Sequence, residues 1–176
     1  MEITIRKGTG ADTERFIDFL TSVWETMEHK EWFCLDSPEE IRQRMEEGTM
    51  ELWLAMEGER IAGAFDILHP GMEDINYGWK LDFSREQLAR VVHMDMAAVH
   101  PNYRGMGLQR RLLETAEQEL RGEAERYLLC TIHPENVFSL NNALKQGYRI
   151  RKTLSMYGSV RHILCKKLFK KIRKNC

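Results

Sequence analysis

Between Val91 and Leu120 (VVHMDMAAVHPNYRGMGLQRRLLETAEQEL) a hydrophobic strand runs into a turn containing Pro101, Asn102, Gly105 and Gly107, and a helix follows at once. The start of a helix leaves backbone N–H groups without partners, and the macrodipole places about half a positive charge there. Gly105 and Gly107 carry no side chain, so an anion can approach the backbone, and Arg104, Arg110 and Arg111 add formal charge beside it. The chemistry expected of such a turn is capture of a phosphate or diphosphate. Upstream, His93 and Asp95 occupy alternate positions of the strand and so share one of its faces.

Other glycine-rich devices do not fit. Gly105-Met106-Gly107-Leu108-Gln109-Arg110 has arginine where the dinucleotide fingerprint needs its third glycine, and it lies mid-chain rather than in an opening βαβ unit. No G-K-[ST] follows, which excludes a P-loop, and no G-x-S-x-G elbow exists anywhere in the chain. A purely structural turn is the competing reading.

The elements that must position these residues are legible from periodicity. Residues 2–6 alternate as a short strand; a helix opens after Thr9-Gly10-Ala11-Asp12, with Phe16, Ile17, Leu20, Val23, Trp24 and Met27 on one stripe. After an aromatic loop (residues 29–34), Ser37 as N-cap and Pro38 at the first helical position start a second helix that stops at Gly48. Residues 50–56 and 60–68 read as a hairpin, and 69–90 as the least regular stretch, with a short helix from Ser84. Strands at 91–99 and 126–132, helices from Gly107 and Asn136, and two strands near 148–156 and 159–168 complete an α/β sandwich around one sheet.

At 176 residues the chain is read as one domain (1–176), large enough to fold around a single core. No apolar run reaches the roughly 18 residues of a membrane helix, and the N-terminus lacks a signal-peptide core. Four scattered cysteines (Cys34, Cys130, Cys165, Cys176) show neither zinc spacing nor a disulfide framework. A cytoplasmic protein without a metal is expected. Residues 1–60 hold 7 Lys/Arg against 15 Asp/Glu, a net −8, and the remainder 19 against 12, a net +7. The second part could therefore hold a polyanion and the first attract a cation, unless the solvated helices merely differ in sign.

Arg104-Gly105-Met106-Gly107-Leu108-Gln109 resembles the [Q/R]-x-x-G-x-[G/A] acetyl-CoA signature of the GNAT N-acetyltransferase superfamily, with glutamine where glycine or alanine is usual. Asn136-x-x-Ser139 followed by Gly147-Tyr148 resembles that family's second cofactor element, and the element order is similar from residue 3 to about 168. The resemblance implies a mixed, mostly antiparallel sheet with helices on both faces and acetyl-CoA as co-substrate. It implies that the backbone from Arg104 to Gln109, with Arg110 beside it, holds the diphosphate. Ala97, Ala98 and Val99 would pair with the pantetheine arm, and Asn136 and Ser139 would line its far side.

Acetyl transfer to an amine needs a proton acceptor, stabilisation of negative charge on the carbonyl oxygen, and a proton for the departing thiolate. His93 stands where several family members carry a glutamate base, with Asp95 on the same face; it is either that base or a half-buried histidine satisfied by a neighbour. Where many members have a tyrosine acid, seven residues after Asn136, this chain has Ala143. Tyr157 is the substitute, or else an aromatic covering the sheet end; Tyr148 is expected in the core. Glu28, Trp32, Phe33 and His133 are expected to meet the acceptor, a small-molecule or peptide amine. The basic tail from Arg161 to Cys176 is read as a last strand with a solvated end; neither nucleic acid nor membrane is expected as a partner, and the chain is expected as a monomer or homodimer. The rival reading is a CoA-binding sensor or partner module that has lost catalysis, which Ala143 favours.

Overall fold

The computed structural model describes residues 2–122 and 124–169. Seven strands form one sheet in the order β1-β2-β3-β4-β5-β7-β6, where β1 is Thr4–Lys7, β2 Met50–Glu57, β3 Arg60–Leu68, β4 Val91–Val99, β5 Arg126–Ile132, β6 Arg149–Met156 and β7 Ser159–Leu168. Every neighbouring pair is antiparallel except β4–β5. The strands at 91–99 and 126–132 fall at the positions their apolar runs predict, and the mixed sheet with helices on both faces is the expected class.

Helices α1 (Thr13–Glu25) and α2 (Pro38–Glu47) pack on one face through Phe16, Leu20 and Ile41 against Leu52, Leu54 and Met96. Ser37 and Glu40 form a capping box at the start of α2, and Gly48 closes it in the left-handed conformation that glycine adopts without strain. On the other face α4 (Leu108–Leu120) and α5 (Val137–Lys145) bury Leu112, Ala116 and Ala143 against Trp53, Phe65 and Leu128. Tyr148 lies in this core as expected. Its hydroxyl donates to the buried Glu117 carboxylate, which also receives Lys166.

Residues 69–90 are more ordered than periodicity predicts. A 3-10 turn (Tyr77–Leu81) and the short helix α3 (Arg85–Leu88, capped by Ser84) cover the part of the sheet that α1 and α2 leave bare. Buried Asn76 holds the segment together: its amide donates to the carbonyls of Gly71 (2.7 Å) and Leu88 (3.2 Å) and its oxygen accepts the Gly78 N–H (2.8 Å). Such bonds are local side chain–backbone exchanges that leave no periodic trace in a sequence.

Two irregularities shape the centre of the sheet. The parallel pairing of β4 with β5 runs from Val91↔Tyr127 to His93↔Leu129 and stops, so the two strands fork beyond that point. Opposite, Phe65 pairs with Ala97 but Ile67 pairs with Met94, so Asp66 alone faces both Asp95 and Met96. This is a β-bulge, which bends its strand and increases its twist. Its effect is visible in the packing: Met94 lies in the α4 core, Met96 in the α1–α2 core, and Ala97 against the α4 core again.

Candidate active site

At one end of the fork lies the turn between β4 and α4. Pro101–Tyr103 form a 3-10 turn, and the Tyr103 hydroxyl ties it to Glu57 at 2.6 Å. Gly105 (φ +79°) and Gly107 (φ +71°, the N-cap of α4) require the left-handed region, and a Cβ on Gly105 would meet nothing within 4 Å. Arg104, Gly105, Met106 and Gly107 are exposed, Leu108 is buried as the first core residue of α4, and Arg110 lies on the solvent side. Among the described residues no carboxylate is hydrogen-bonded to the backbone of residues 104–109. The arrangement is a cradle of N–H groups open to solvent at a helix N-terminus, which suits a diphosphate. Arg111 is engaged elsewhere, donating to the Ile3 carbonyl at 3.0 Å.

Gln109 departs from the expected small residue, and its amide donates to the Ser139 hydroxyl at 3.1 Å. Asn136 accepts the Ser139 N–H at 3.2 Å as the N-cap of α5. The two sequence elements thus meet across the head of α4. Along the fork, Ala97 and Val99 are half-buried toward α4 and Ala98 is buried toward α1, and this stretch of β4 pairs only with β3. Half of its backbone polar groups therefore face the fork without a strand partner.

The other end of the fork gathers titratable groups. His93 is 1% exposed, its ring is stacked on Tyr77 at 3.9 Å, and its Nε2 accepts the Tyr77 backbone N–H at 3.1 Å. Burial, with Arg44 adding to it, pushes this histidine down to about 3. The expectation that His93 is the base is corrected here: its lone pair is already committed and no water reaches the ring, so it stays neutral with its proton on Nδ1. Asp95 is partly exposed in the fork, and its carboxyl is pushed up to about 7 by burial first and then by Asp36, with Arg44 opposing. Asp66 is fully buried, accepts the Met96 N–H at 3.1 Å through Oδ1, and is raised well above the carboxylate range by burial and by Asp95.

Tyr157 sits in the two-residue turn between β6 and β7 at φ +53°, a conformation uncommon for a residue with a side chain, and its hydroxyl lies 3.0 Å from that of Tyr77. Burial keeps both phenols above their ordinary value, so both are protonated at neutral pH. Trp32 stacks with His29 at 4.3 Å and with His133 at 6.4 Å, while Phe33 packs beside the α1–α2 core. Buried Arg161 of β7 holds this loop, donating to the carbonyls of Glu31 (2.6 Å) and Trp32 (3.0 Å). Glu28 is exposed after α1 and makes no hydrogen bond among the described residues. Ala143 is in the core, so no acid can act from there. Asp66, Tyr77 and Arg161 were not foreseen: the first two are reached only through the bulge and the irregular 69–90 segment, and a lone arginine in a strand carries no signal. Lys170–Cys176, the end of the basic tail, lie outside the described residues. No group of His, Cys, Asp and Glu among the described residues could hold a metal ion, and no helix there is long and apolar enough to cross a membrane.

Residues 16–148 match the family model described as acetyltransferase (GNAT) family. No curated protein matches the chain. Among solved structures, a GNAT-family acetyltransferase from Streptococcus pneumoniae is similar at TM-score 0.70 and 17% identity, covering 96% of this chain and 100% of that one. The Salmonella typhimurium putative acetyltransferase yncA with acetyl-CoA gives 0.67 and 16%, covering 100% of both. Arabidopsis thaliana NAA60 with a bisubstrate analogue gives 0.69 and 15%, covering 94% of this chain and 98% of that one.

Proposed function

Because the chain belongs to the acetyltransferase (GNAT) family, with more than half of its residues inside the match, we propose that it moves an acetyl group from acetyl-CoA to a primary amine of a small molecule or peptide. The observation that carries this reading is the open turn at Arg104–Gln109, whose N–H groups after Arg104 face the head of α4, lying beside the unpaired edge of β4. A diphosphate fits the cradle, and an extended arm fits the free edge at Ala97–Val99, with Gln109, Asn136 and Ser139 on its other side. Acetyl-CoA would supply a thioester carbonyl there. The yncA neighbour's bound acetyl-CoA is in keeping with this.

The chain's own groups have separable tasks. An acceptor amine reaches neutral solution as an ammonium ion and must lose a proton, and a base works best when its pKa is near the operating pH. Asp95, pushed up to about 7 and partly exposed, meets that condition; His93, neutral and without a free lone pair, does not. Tyr157 remains a phenol at neutral pH and can give its proton to a departing thiolate, with the Tyr77 hydroxyl as its neighbour. Cys34, Cys130 and Cys165 are all raised by burial, Cys130 to about 12, so none of these three, the cysteines among the described residues, offers a thiolate, which supports direct transfer. Trp32 and His133 flank the acceptor end, and the acidic first part of the chain favours a cationic acceptor.

Ala143 supports a second reading, a CoA-binding module without turnover. Two measurements decide. Gly107→Asp places bulk and negative charge in the cradle and is expected to abolish acetyl-CoA binding in calorimetry; unchanged affinity would refute the cradle. Release of free CoA thiol is then followed across a panel of polyamines, aminoglycosides, amino acids and peptide N-termini. Turnover that Asp95→Asn lowers by about 10²–10⁴-fold supports the enzyme with Asp95 as base. Binding without turnover on any amine supports the sensor.

A further inference from the structure

The groups assigned so far leave one buried carboxyl unused. Asp66 stands in the second half of β3, 0% exposed, where it alone opposes two residues of β4. Its Oδ1 accepts the Met96 N–H at 3.1 Å, and its buried Oδ2 has no partner among the described residues. A carboxyl group in the interior of a sheet is costly unless it does something an apolar residue cannot. Here it takes the place of a strand carbonyl in receiving an amide that the bulge has pulled out of register.

We propose that Asp66 is a positioning residue for Asp95: by receiving the Met96 amide it holds the bulge that seats Met96 beside Asp95 on the α1–α2 side of β4 and fixes the backbone on which Asp95 stands. Alternation from His93 already puts Asp95 on that side; without the bulge Met96 would fall on the opposite face and the strand beyond would lose the phase that turns Ala97 and Val99 to α4. The assignment of Asp95 as base rests on the function proposed above; the hold of Asp66 on the bulge does not.

The neighbours determine in which form Asp66 does this. Asp36 from the loop before α2 and Arg44 from α2 act on Asp95, and Cys34 from the same loop feels its charge. Tyr77 from the 3-10 turn, Tyr157 from the β6–β7 turn and Cys130 from β5 feel it as well, and His93 on the same strand is neutral. Arg44 is the only cation that acts on Asp95 among these, and Asp66 has none. With Asp95 beside it, Asp66 keeps its proton, so the negative charge that the pair gains as pH rises through about 7 resides on Asp95. A neutral acid also suits an oxygen buried without a partner better than a carboxylate does.

The test uses the full chain without ligand and carbon-13 labelling of the aspartate carboxyls. In the unsubstituted protein the Asp66 signal is expected to remain that of a neutral acid while Asp95 titrates near about 7. An ionised Asp66 at pH 6 would overturn the assignment. Asp66→Asn keeps a neutral group with an accepting oxygen, so the Asp95 midpoint and the slow exchange of the Met96 amide should persist. Asp66→Ala removes the acceptor and should speed that exchange tenfold or more and move the Asp95 midpoint back toward ordinary carboxylates. An alanine variant identical to the unsubstituted protein, or an asparagine variant that behaves like alanine, would sink the proposal. Asp95→Asn assayed for turnover tests the base separately: full activity there removes Asp95 from catalysis and leaves the Asp66 result standing.

Discussion

At the residue scale, the choice of base between His93 and Asp95 is a matter of which group can reach water and keep a free lone pair. They share a face of β4, but His93 lies under Tyr77 and gives its Nε2 to a backbone amide, whereas Asp95 stands just past the last paired residue of the fork. Burial acts on both with opposite results: it keeps a histidine uncharged at every working pH and brings a carboxyl into the range where it can exchange protons. Tyr157 occupies a left-handed turn position better suited to asparagine or glycine, and that outlier places its hydroxyl on Tyr77. Tyr157→Phe should lower turnover of an accepted amine by about 10²-fold, the lower end for a proton-donating side chain, with acetyl-CoA affinity unchanged. Turnover within twofold of the parent would assign the proton to solvent.

At the element scale, the end of the fork proposed to receive the acceptor is assembled by segments with little regular structure. The loop between α1 and α2 is pinned by one side chain, Arg161, whose guanidinium reaches two successive carbonyls. The 69–90 segment is held by Asn76 and delivers Tyr77. Arg161→Lys replaces a planar fork by a point charge that can keep only one of the two carbonyls in that geometry. A charge-assisted hydrogen bond is worth about 1.5–3 kcal/mol, so amides of residues 30–34 should exchange about tenfold faster or more. The KM for the acceptor should rise with kcat less affected. Exchange in the loop at the parent rate would show that other contacts hold it. By contrast the cradle belongs to a helix terminus with its own signals, and Gly107 as N-cap and Leu108 as first buried residue are where the periodicity predicts them.

At the scale of the whole molecule, the buried ionisable groups give stability an opposed pH dependence. His93, lowered from 6.5 to about 3, and Glu51, lowered from 4.5 to about 2 chiefly by its bond to His69, bind fewer protons folded than unfolded. Their contribution is present above the unfolded values and is lost as pH falls through the folded ones. Asp95, raised from 3.8 to about 7, does the reverse: its contribution is full below about 4 and is lost as pH rises through about 7. Denaturant unfolding of Asp95→Asn against the parent should therefore show a gap that widens between pH 4 and 7, by at most about 1.4 kcal/mol per pH unit, and levels off above. A gap independent of pH would mean that Asp95 is ionised throughout.

The sequence alone determined the sheet and its covering helices, because apolar period, caps and glycines are local signals, and it determined the open glycine turn proposed to hold a diphosphate, because Gly105, Gly107 and a helix start are contiguous. It also brought His93 and Asp95 to one face, and Trp32 and His133 to one end. That the His93 lone pair is already committed was decided by the tertiary structure, since the ring's burial and its hydrogen bond depend on Tyr77, sixteen residues away in the least periodic stretch. The same holds for Asp66 on β3 and for Arg161 on β7. Each acts through a contact between segments distant along the chain, and such contacts have no period, spacing or composition by which a sequence could announce them.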